Sequence, residues 1–591
     1  MIRVFLTLDS LIPLFFRIRS FFQYVVNNVL CYDKNMNILT SSWRSKSMNH
    51  VDVIVVGSGI AGLTATAYLS KENLNVLLLE KEAEIGGLLG SFNVDGHVLD
   101  KGARSIIDSG IVFPMLRQLG IEIEFLSNPI KITIGSQSVT LTEESDIEQY
   151  GSMLKQLYPD NVKDIDVIVT DIKHVMKTMD VLYGIENPLF LPKPYEMDYL
   201  THTLLPWVFK FAFNIRKMSK MLDPINDFLK TRTSNESLIF IITQHFFSMT
   251  PTFFALSYFT LYMQYHYPKG STQTIVDQLK SLILSNGGKI KTNQEVNGID
   301  VERKQITTAQ GQVYSYDQLL WAADTNRLYH MIDRKNIASP KLLSKINRHI
   351  KLLENKTGAD SVLTVYMLTD LPPQYFEAIF GPHCFYTPRI EGLADISLED
   401  IKQKGKFIED KDRLFDWISD FVEYNTLEVS IPVLRDPALS PEGQTGLIVS
   451  LLFDYQLVKH FDELNLYDDF KHYITSLMIK HLSNATIDDL NKHVRKTIVS
   501  TPLSIARKTH NTQGSLTGWS FANNPFPTEY RFTRLAKSVL TPIDSIKQAG
   551  QWTFNPAGVP VSILTGKLAA DAIIKNVIKS NSKKKGGSDI E

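Results

Sequence analysis

Three glycines near the start of the chain have the spacing of a dinucleotide-binding turn. Gly57, Gly59 and Gly62 follow an apolar run, Val51–Val56, and open a segment of helix-forming residues, 61–71. Glycines at these positions permit a tight turn, a close approach of the backbone to a pyrophosphate and close packing of the helix on the strand. The free N–H groups at the helix N-terminus then attract phosphate. The pattern predicts a dinucleotide site.

A second apolar run, Val76–Leu79, completes a strand–helix–strand unit and ends in Glu80 and Lys81. Glu80 lies 23 residues after Gly57, where a carboxylate can accept hydrogen bonds from the ribose hydroxyls of an adenosine. A glycine-rich turn without a ligand is the alternative explanation of these residues. The position of the glycines between a strand and a helix, with the acid at the next strand end, favours the dinucleotide.

The composition is that of an ordinary globular enzyme. The 591 residues are enough for two or three domains, and a net charge of −1 gives no support for a nucleic-acid partner. The two cysteines, Cys31 and Cys384, have neither metal-ligand spacing nor a disulfide framework, so we predict no metal site. No run of about 18 uncharged apolar residues predicts a membrane-spanning helix. We therefore expect a cytoplasmic protein, with association to a membrane surface left open.

Residues 1–47 are apolar and aromatic but are interrupted by Asp9, Pro13 and two arginines. Their apolar runs are too short for a spanning helix, and they lack the small-residue cleavage site of a secretory signal. Two interpretations remain for this extension. It is either an amphipathic segment that lies in a membrane interface, or sequence upstream of a start at Met48.

Two further glycine-rich loops could contact a long cofactor. Gly86 and Gly87, followed by Leu88, would let a loop run against a flat ligand, whereas the Asp95-Gly96 pair beyond them predicts a hairpin turn. Near the end of the chain, residues 550–560 precede a helix of small residues that we predict over 562–575. A glycine–proline loop at a helix N-terminus can bind ligand oxygens, although a plain turn could use the same residues.

The motifs GSGIAGL, LEK and GGLLGSFNVDGHVLDKGARSI together resemble the opening of the flavin-dependent phytoene desaturase family, which includes carotenoid isomerases and retinol saturases. The resemblance extends over about residues 51–578, through matching segments in the same order. It implies FAD as cofactor and an α/β fold of the glutathione reductase-like flavoprotein type. The expected parts are a Rossmann-type FAD-binding domain, a mixed-sheet substrate domain and a helical, partly apolar cap.

The resemblance also implies a set of cofactor-binding residues. Val296 would touch the adenine through its backbone, and Asp324 would lie near the nucleotide domain. Two positions depart from common patterns, since Leu88 stands where many relatives have arginine and Gln551 where many flavoproteins have an acid. The full set is Gly57, Gly59, Ala61, Gly62, Glu80, Lys81, Gly86, Gly87, Leu88, Val296, Asp324, Gly550, Gln551, Gly558, Val559 and Pro560.

The domains follow from the order of these segments along the chain. Residues 199–221 mix aromatic with basic side chains, so they could line an apolar tunnel or contact a bilayer, or form an ordinary packed cap. The predicted boundaries are 48–130, 266–335 and 531–578 for the three parts of the FAD-binding domain, 131–265 for the helical cap, 336–530 for the substrate domain and 579–591 for a disordered tail.

These features predict a FAD-dependent oxidoreductase that acts on the C–C double bonds of a long lipophilic polyene, a carotenoid precursor or retinoid, as desaturase, saturase or isomerase. The sequence has no second G-x-G-x-x-G motif, so a quinone, oxygen or a reductase is the expected electron partner. A flavin-dependent amine oxidase is the main alternative, and Trp552 and Phe554 only loosely suggest the aromatic cage of that class. A chaperone or regulator that binds the nucleotide without turnover is a third.

The sequence identifies no catalytic residue. We recognise no Ser-His-Asp or Cys-His arrangement in it, and its 14 histidines fall into no motif. Each histidine is therefore interpreted as structural or solvated, and the flavin is expected to carry the hydride chemistry.

Overall fold

The computed structural model describes residues 50–182, 185–191, 196–218, 221–486, 489–531 and 534–586. The predicted extension over 1–47 lies outside these residues. The strands are β1 (His50–Val56), β2 (Val76–Leu79), β3 (Ser91–Val94), β4 (His97–Asp100), β5 (Ile106–Ile107), β6 (Phe125–Ser127), β7 (Ile130–Ile134), β8 (Gln137–Leu141), β9 (Tyr265–Pro268), β10 (Lys289–Lys291), β11 (Val296–Asp300), β12 (Gln305–Thr308), β13 (Val313–Trp321), β14 (Ser361–Thr369), β15 (His383–Thr387), β16 (Lys402–Gln403), β17 (Lys406–Phe407), β18 (Leu427–Ser430), β19 (Thr445–Phe453), β20 (Val494–Ser500) and β21 (Ile546–Gln548).

The helices follow the same chain order. They are α1 (Ile60–Lys71), α2 (Val112–Leu119), α3 (Asp146–Leu157), α4 (Val162–Leu182), α5 (Leu205–Met218), α6 (Ile225–Lys230), α7 (Glu236–Thr243), α8 (Thr252–Tyr262), α9 (Gln273–Ser285), α10 (Thr325–Met331), α11 (Pro340–Leu353), α12 (Pro373–Phe380), α13 (Lys411–Tyr424), α14 (Tyr455–Glu463), α15 (Tyr467–Ala485), α16 (Leu490–His493), α17 (Pro502–Thr509), α18 (Leu535–Ser538) and α19 (Val559–Gly586).

The first sheet is built from three distant parts of the chain. Its strand order is β10-β2-β1-β13-β12-β11, with β21 added on β13, and the strands from β10 to β13 run parallel. Helices α1, α9 and α19 cover one face, and α10 and α11 cover the other. Because both faces are covered, β1 is apolar along almost its whole length. The predicted βαβ unit and α/β flavoprotein fold are confirmed.

The second sheet has the order β20-β14-β19-β18-β15-β7-β8, and all its pairs are antiparallel except β15 with β7. One face buries residues such as Val365, Val429 and Val449 against α12 to α15. The opposite face carries Thr364 and Glu428, because successive residues of a strand alternate between the two faces. Arg104, from the segment that follows β4, lies on this second face.

The cap is partly β-structure, which corrects our expectation of a helical cap over 131–265. Residues 130–141 form the β7–β8 hairpin at the edge of the second sheet, with the turn at Gly135 in the left-handed region at φ 56°. The alternation of Ile130, Ile132 and Ile134 with polar residues is the strand signal. Helices α3, α4 and α6 to α8 pack on this hairpin in one apolar cluster.

The C-terminal helix α19 crosses α1 closely. A Cβ atom at Gly566 would lie 2.5 Å from the carbonyl oxygen of Ala61, so only glycine allows this approach. The helix that we predicted over 562–575 extends from Val559 to Gly586. Residues 579–586, which we expected to be disordered, therefore belong to α19, and residues 587–591 lie outside the described part. Among the described helices, none has the length and apolar character needed to cross a membrane.

Candidate active site

The turn after β1 contains two glycines that close packing requires and one that faces open space. Gly57 has φ 96°, and a Cβ there would lie 2.8 Å from the carbonyl oxygen of Ala322. A Cβ at Gly62 would lie 1.9 Å from the carbonyl oxygen of Gly57. At Gly59, apart from its two chain neighbours, no atom of the described residues lies within 4 Å of the position that a Cβ would take. Gly59 therefore leaves room for a ligand at the N-terminus of α1.

Glu80 is fixed beside this turn by its own hydrogen bonds. Its Oε2 accepts from the backbone N–H of Ser58 at 2.9 Å and from the Ser58 hydroxyl at 2.6 Å, and its Oε1 accepts from the N–H of Glu82 at 3.0 Å. Lys81 pairs with Glu82, with Nζ 2.5 Å from Oε1. The Glu80 carboxylate is therefore held at the end of β2, and Oε1 still has a lone pair for a ribose hydroxyl.

The Gly86–Gly87 loop runs from this turn toward the end of β4. The N–H of Gly86 donates to the carbonyl oxygen of Ser58 at 3.0 Å, and Gly87 packs against Gly59, whose Cα would lie 3.2 Å from a Cβ at position 87. The carbonyl oxygen of Leu88 accepts from the N–H of Ala103 at 3.1 Å. The chain thus offers a continuous stretch of backbone, little obstructed by side chains, next to the turn.

The C-terminal loop approaches the same place. Gly550, at φ 97°, donates its N–H to Thr565 Oγ1 at 3.0 Å and lies beside Ala61, whose Cβ would be 3.4 Å from a Cβ at position 550. The backbone of Gln551 packs against Gly518. Gly558, Val559 and Pro560 lead into or open α19 and are half-buried. Residues predicted from the two ends of the chain therefore meet around the first turn of α1.

The side chains of Val296 and Asp324 make their contacts within the protein. The Val296 side chain is buried in the core of the first sheet, so only its backbone could reach a ligand. Asp324 is buried, which raises its pKa, and its carboxylate accepts from the N–H of Asn326 and from the N–H and hydroxyl of Thr512, each at 2.7 Å. The contacts of Asp324 therefore cap α10 and hold the Thr512 loop.

These observations fit a dinucleotide. The open space at Gly59 stands at a helix N-terminus, a carboxylate is fixed at the end of the neighbouring strand, and the glycine-rich backbone of residues 86–87 and 550 lies beside the same turn. No group of three or more His, Cys, Asp or Glu side chains within the described residues is placed to hold a metal ion.

Sequence reasoning missed a polar surface on the second sheet. Thr364, Ser450 and Glu428 lie directly opposite one another on β14, β19 and β18, so their side chains share one face. Arg104 lies across them, hydrogen-bonded to Ser450 and with Nη1 2.8 Å from Glu428 Oε2. We call these four residues the polar floor. Arg104 follows Gly102, which packs on the carbonyl oxygen of Leu88, so the floor adjoins the glycine loop.

A chain of hydrogen bonds leads to Glu428 from the other side. Arg435 Nη1 donates to Asn128 Oδ1 at 3.1 Å, and Asn128 Nδ2 donates to Ser105 Oγ at 2.6 Å. Ser105 Oγ lies 3.1 Å from His383 Nδ1, and His383 Nε2 lies 2.8 Å from Glu428 Oε1. The structure thus contains a Ser–His–Glu arrangement that the sequence did not show.

Aromatic rings continue from His383 to the surface. Their successive centroids are 5.3 to 6.5 Å apart. Most of the rings keep part of their surface accessible, and the outermost, Tyr530, is 52% exposed. This aromatic row consists of His383, Tyr265, Tyr262, Tyr258, Phe254, Phe521, Phe526 and Tyr530.

The two residues considered for an aromatic cage are core residues. Trp552 is 3% exposed and packs edge-on against Trp519 at 4.9 Å, and Phe554 is fully buried. They contribute to the core rather than to an open surface.

The fold and the glycine-lined site define a flavoprotein with a Rossmann-type dinucleotide domain. The profile described as "Flavin containing amine oxidoreductase" matches residues 60–574, and the chain belongs to this family. FAD is its cofactor and oxidoreduction its class of reaction.

Individual proteins agree with this assignment. The chain is 22% identical to the chloroplastic prolycopene isomerase of Daucus carota over 93% of its own length and 84% of that protein. It is 22% identical to the 1-hydroxycarotenoid 3,4-desaturase of a Flavobacterium strain, over 88% and 98% of the two chains. A putrescine oxidase variant shares the fold, with a TM-score of 0.55 at 12% identity over 89% and 99% of the two chains.

Proposed function

We propose that the protein is a FAD-dependent oxidoreductase that acts on C–C double bonds of a long, lipophilic polyene, as a desaturase, saturase or isomerase. The aromatic row carries this proposal, since it joins the exposed Tyr530 to His383 beside the polar floor. Stacked ring edges and faces offer apolar contact over an extended length. The relatives named for prolycopene and hydroxycarotenoids support a polyene.

The glycine-lined segments would hold FAD. Gly59 and the first turn of α1 would receive the pyrophosphate, and Glu80 would accept from the ribose. Bound FAD supplies hydride transfer to or from a substrate carbon. The remaining proposed contacts are the helix residues Ala61 and Gly62, the turn glycine Gly57, Lys81, the backbone of Val296, the loop Gly86, Gly87 and Leu88, the α10 cap Asp324 and the C-terminal loop of Gly550, Gln551, Gly558, Val559 and Pro560.

The chain's own part in the reaction is to hold the polyene straight and keep water away. Tyr262 and Phe385, with centroids 5.5 Å apart, bring cap and second sheet together at the inner end of the aromatic row. Exclusion of water there protects a reactive carbon from competing reactions. We propose a quinone, oxygen or a reductase as electron partner, because the sequence has one G-x-G-x-x-G motif only.

An amine oxidase would need a place for an amine beside the flavin. Burial of Trp552 and Phe554 speaks against an aromatic cage there. The half-buried carboxylate of Glu428 already has Arg104 and His383 as partners, which leaves it poorly suited to a further cation. We therefore favour the polyene.

A second surface supports contact with a lipid bilayer. On α5, Leu205, Phe209 and Phe213 are 41%, 58% and 65% exposed, and their four-residue spacing puts them on one face. The other face is anchored, since Trp207 Nε1 donates to the carbonyl oxygen of Val181 on α4 at 2.6 Å. We propose that the exposed face lies in a membrane interface, from which a lipophilic substrate would enter.

An anaerobic titration of the purified flavoprotein with polyenes in liposomes tests the function. Loss of oxidised flavin absorbance on adding a polyene would identify a desaturase, and reoxidation of pre-reduced flavin by a polyene a saturase. A double-bond isomer formed without change in flavin redox state would identify an isomerase. A flavin that responds to simple amines and to no polyene would overturn the proposal.

A further inference from the structure

We propose that the polar floor binds a hydroxyl group at the end of the polyene, with the Glu428 carboxylate as the hydrogen-bond acceptor. This inference rests on the function proposed above and narrows its substrate class to polyene alcohols. It assigns a role to the buried hydrogen-bond network around Glu428, whose residues are not among the proposed FAD contacts.

Each hydrogen bond in the network donates toward Glu428, so Glu428 is its final acceptor. A guanidinium only donates, so Arg435 fixes Asn128 Oδ1 as an acceptor and Asn128 Nδ2 as the donor to Ser105. The Ser105 hydroxyl then donates its hydrogen bond to His383 Nδ1. The ring proton of the neutral imidazole is therefore on Nε2, which donates to Glu428 Oε1. Burial lowers the pKa of His383 and keeps the imidazole in this neutral form.

Glu428 is the charged group through which the network meets open space. The side chains of its partners Arg104 and His383 are 5% and 2% exposed, whereas that of Glu428 is 30% exposed. Phe385 lies directly opposite Glu428 on β15, so both side chains rise from the same face of the sheet. The Phe385 ring in turn contacts His383 and Tyr262 at 5.9 and 5.5 Å. The accessible side of the carboxylate therefore borders the inner end of the aromatic row.

The carboxylate has acceptor capacity left. Each of its oxygens can accept about two hydrogen bonds, and each has one cationic or N–H partner among the described residues, His383 on Oε1 and Arg104 on Oε2. The buried Nε atoms of Arg104 and Arg435 have no hydrogen-bond partner among the described residues. Unpartnered buried N–H groups are the pattern expected where a polar group from outside the chain completes a network.

The charges around Glu428 favour a ligand end group that is neutral and donates a hydrogen bond. A carboxylate end group would face the half-buried carboxylate of Glu428, and an ammonium group would join two buried arginines, Arg104 and Arg435. A hydroxyl adds no charge and donates one hydrogen bond. Burial alone would raise the pKa of Glu428, but Arg104 and His383 together lower it to about 2. At neutral pH it is therefore an ionised acceptor and a weak base.

The test compares ligands that differ only in the donor. Binding of all-trans-retinol and of its methyl ether, and of cryptoxanthin and its methyl ether, is measured on the FAD-loaded protein by quenching of tryptophan fluorescence. We expect the alcohol of at least one pair to bind about tenfold tighter or more than its ether, the size expected of a hydrogen bond to a charged group. Equal binding of alcohol and ether in every pair would overturn the inference and leave the proposed function intact.

Two variants make the test specific to Glu428. Glu428→Gln keeps the shape but removes the charge, and we expect the preference for the alcohol to fall below about threefold. Glu423→Gln is the matched control, since Glu423 also pairs with an arginine, Arg389, but lies on the exposed end of α13. Its preference should equal that of the wild type. Flavin absorbance and the melting temperature establish that each variant is folded and loaded.

The two proposals fail in different ways. If no polyene, alcohol or ether, binds the loaded protein, the proposed function falls and the end-group site with it. If polyenes bind and change the flavin spectrum but Glu428→Gln keeps the full preference for the alcohol, only the end-group site falls.

Discussion

Gly62 lies against Gly57 so closely that a Cβ at position 62 would stand 1.9 Å from the carbonyl oxygen of residue 57. A Cβ at position 59 would meet no atom of the described residues within 4 Å apart from its chain neighbours. One turn therefore contains a glycine required for packing and a glycine that faces open space, and alanine substitutions should affect the two differently. We expect Gly62→Ala to destabilise the apoprotein by about 1–3 kcal/mol, since the backbone must shift. We expect Gly59→Ala to change its stability by about 0.5 kcal/mol or less.

The two variants should also differ in what they do to FAD. Gly59→Ala should weaken FAD binding at least about tenfold, because its methyl group would occupy space needed by the pyrophosphate. Thermal unfolding of the apoprotein and quenching of FAD fluorescence measure the two effects. Normal FAD affinity in Gly59→Ala would show that the open space is not the phosphate site.

The crossing of α1 and α19 gives a second prediction. Gly566→Ala would place a methyl group 2.5 Å from the carbonyl oxygen of Ala61, so we expect a loss of about 1–3 kcal/mol and partial loss of bound flavin. Gly298→Ala is the control, because its Cβ would lie 3.7 Å from the nearest atom, in ordinary contact with Thr307. Denaturant midpoints and the flavin-to-protein absorbance ratio check both, and similar losses in the two variants would contradict the explanation.

The pH dependence of stability should depend on Glu428. Its pKa in the fold, about 2, lies below its usual value of 4.5. The carboxylate therefore stabilises the fold fully above pH 4.5, and this contribution is lost as the pH falls toward 2. The wild type should exceed Glu428→Gln in stability by no more than about 3 kcal/mol at neutral pH, with the difference shrinking below pH 4.5. Urea denaturation of both proteins at a series of pH values measures it; a difference that does not vary with pH would be inconsistent with the ion pair.

The aromatic row can be tested on substrate affinity. Phe254→Ala and Phe521→Ala each remove a ring from a pair with centroids 6.5 Å apart, and each should weaken polyene binding about three- to thirtyfold through lost apolar contact. Phe415→Ala removes a ring from the α13–α15 contact with Tyr473 instead and should leave polyene affinity unchanged. Should all three variants bind alike, the row would not be the substrate path. FAD content serves as the measure of intact folding.

The proposed membrane contact of α5 can be tested with a triple variant. Replacing Leu205, Phe209 and Phe213 by serine removes the exposed apolar face of α5 without touching the core. We expect sedimentation with phosphatidylcholine–phosphatidylglycerol vesicles to fall by about tenfold or more, because less apolar surface enters the interface. Leu284→Ser, at another exposed leucine on α9 (49% exposed), should sediment like the wild type. Unchanged binding of the triple variant would place membrane contact elsewhere.

The parts of this protein that could be predicted from sequence are local in the chain. The βαβ unit from β1 to β2 follows from apolar runs and glycine spacing within some thirty residues, and its boundaries differ from prediction by one residue at most. The Ser–His–Glu arrangement could not be found in that way, because Ser105, His383 and Glu428 lie on three distant segments. A signal existed in the alternation of Leu427 and Val429 with two polar residues, which marks a strand with one polar face.

The β7–β8 hairpin was missed for a different reason. Its pattern is that of two strands around a glycine turn, yet its partner in the sheet is β15, far along the chain. The sequence that follows it is dominated by helices, and the sheet edge that accepts it is visible only in three dimensions. Our assignment of residues 131–265 to a helical cap therefore overlooked it.

The late position of α19 in the chain sets the order in which the protein can mature. The first sheet receives its last strand at residues 546–548, and the wall beside Ala61 is built only by Gly550 and Gly566. During translation, the turn at Gly59 is made early but stays without that wall until residues 550–566 have been synthesised. Retention of flavin should thus report that the chain was translated through α19, and we expect a product that stops before α19 to be colourless however well its first βαβ unit has folded.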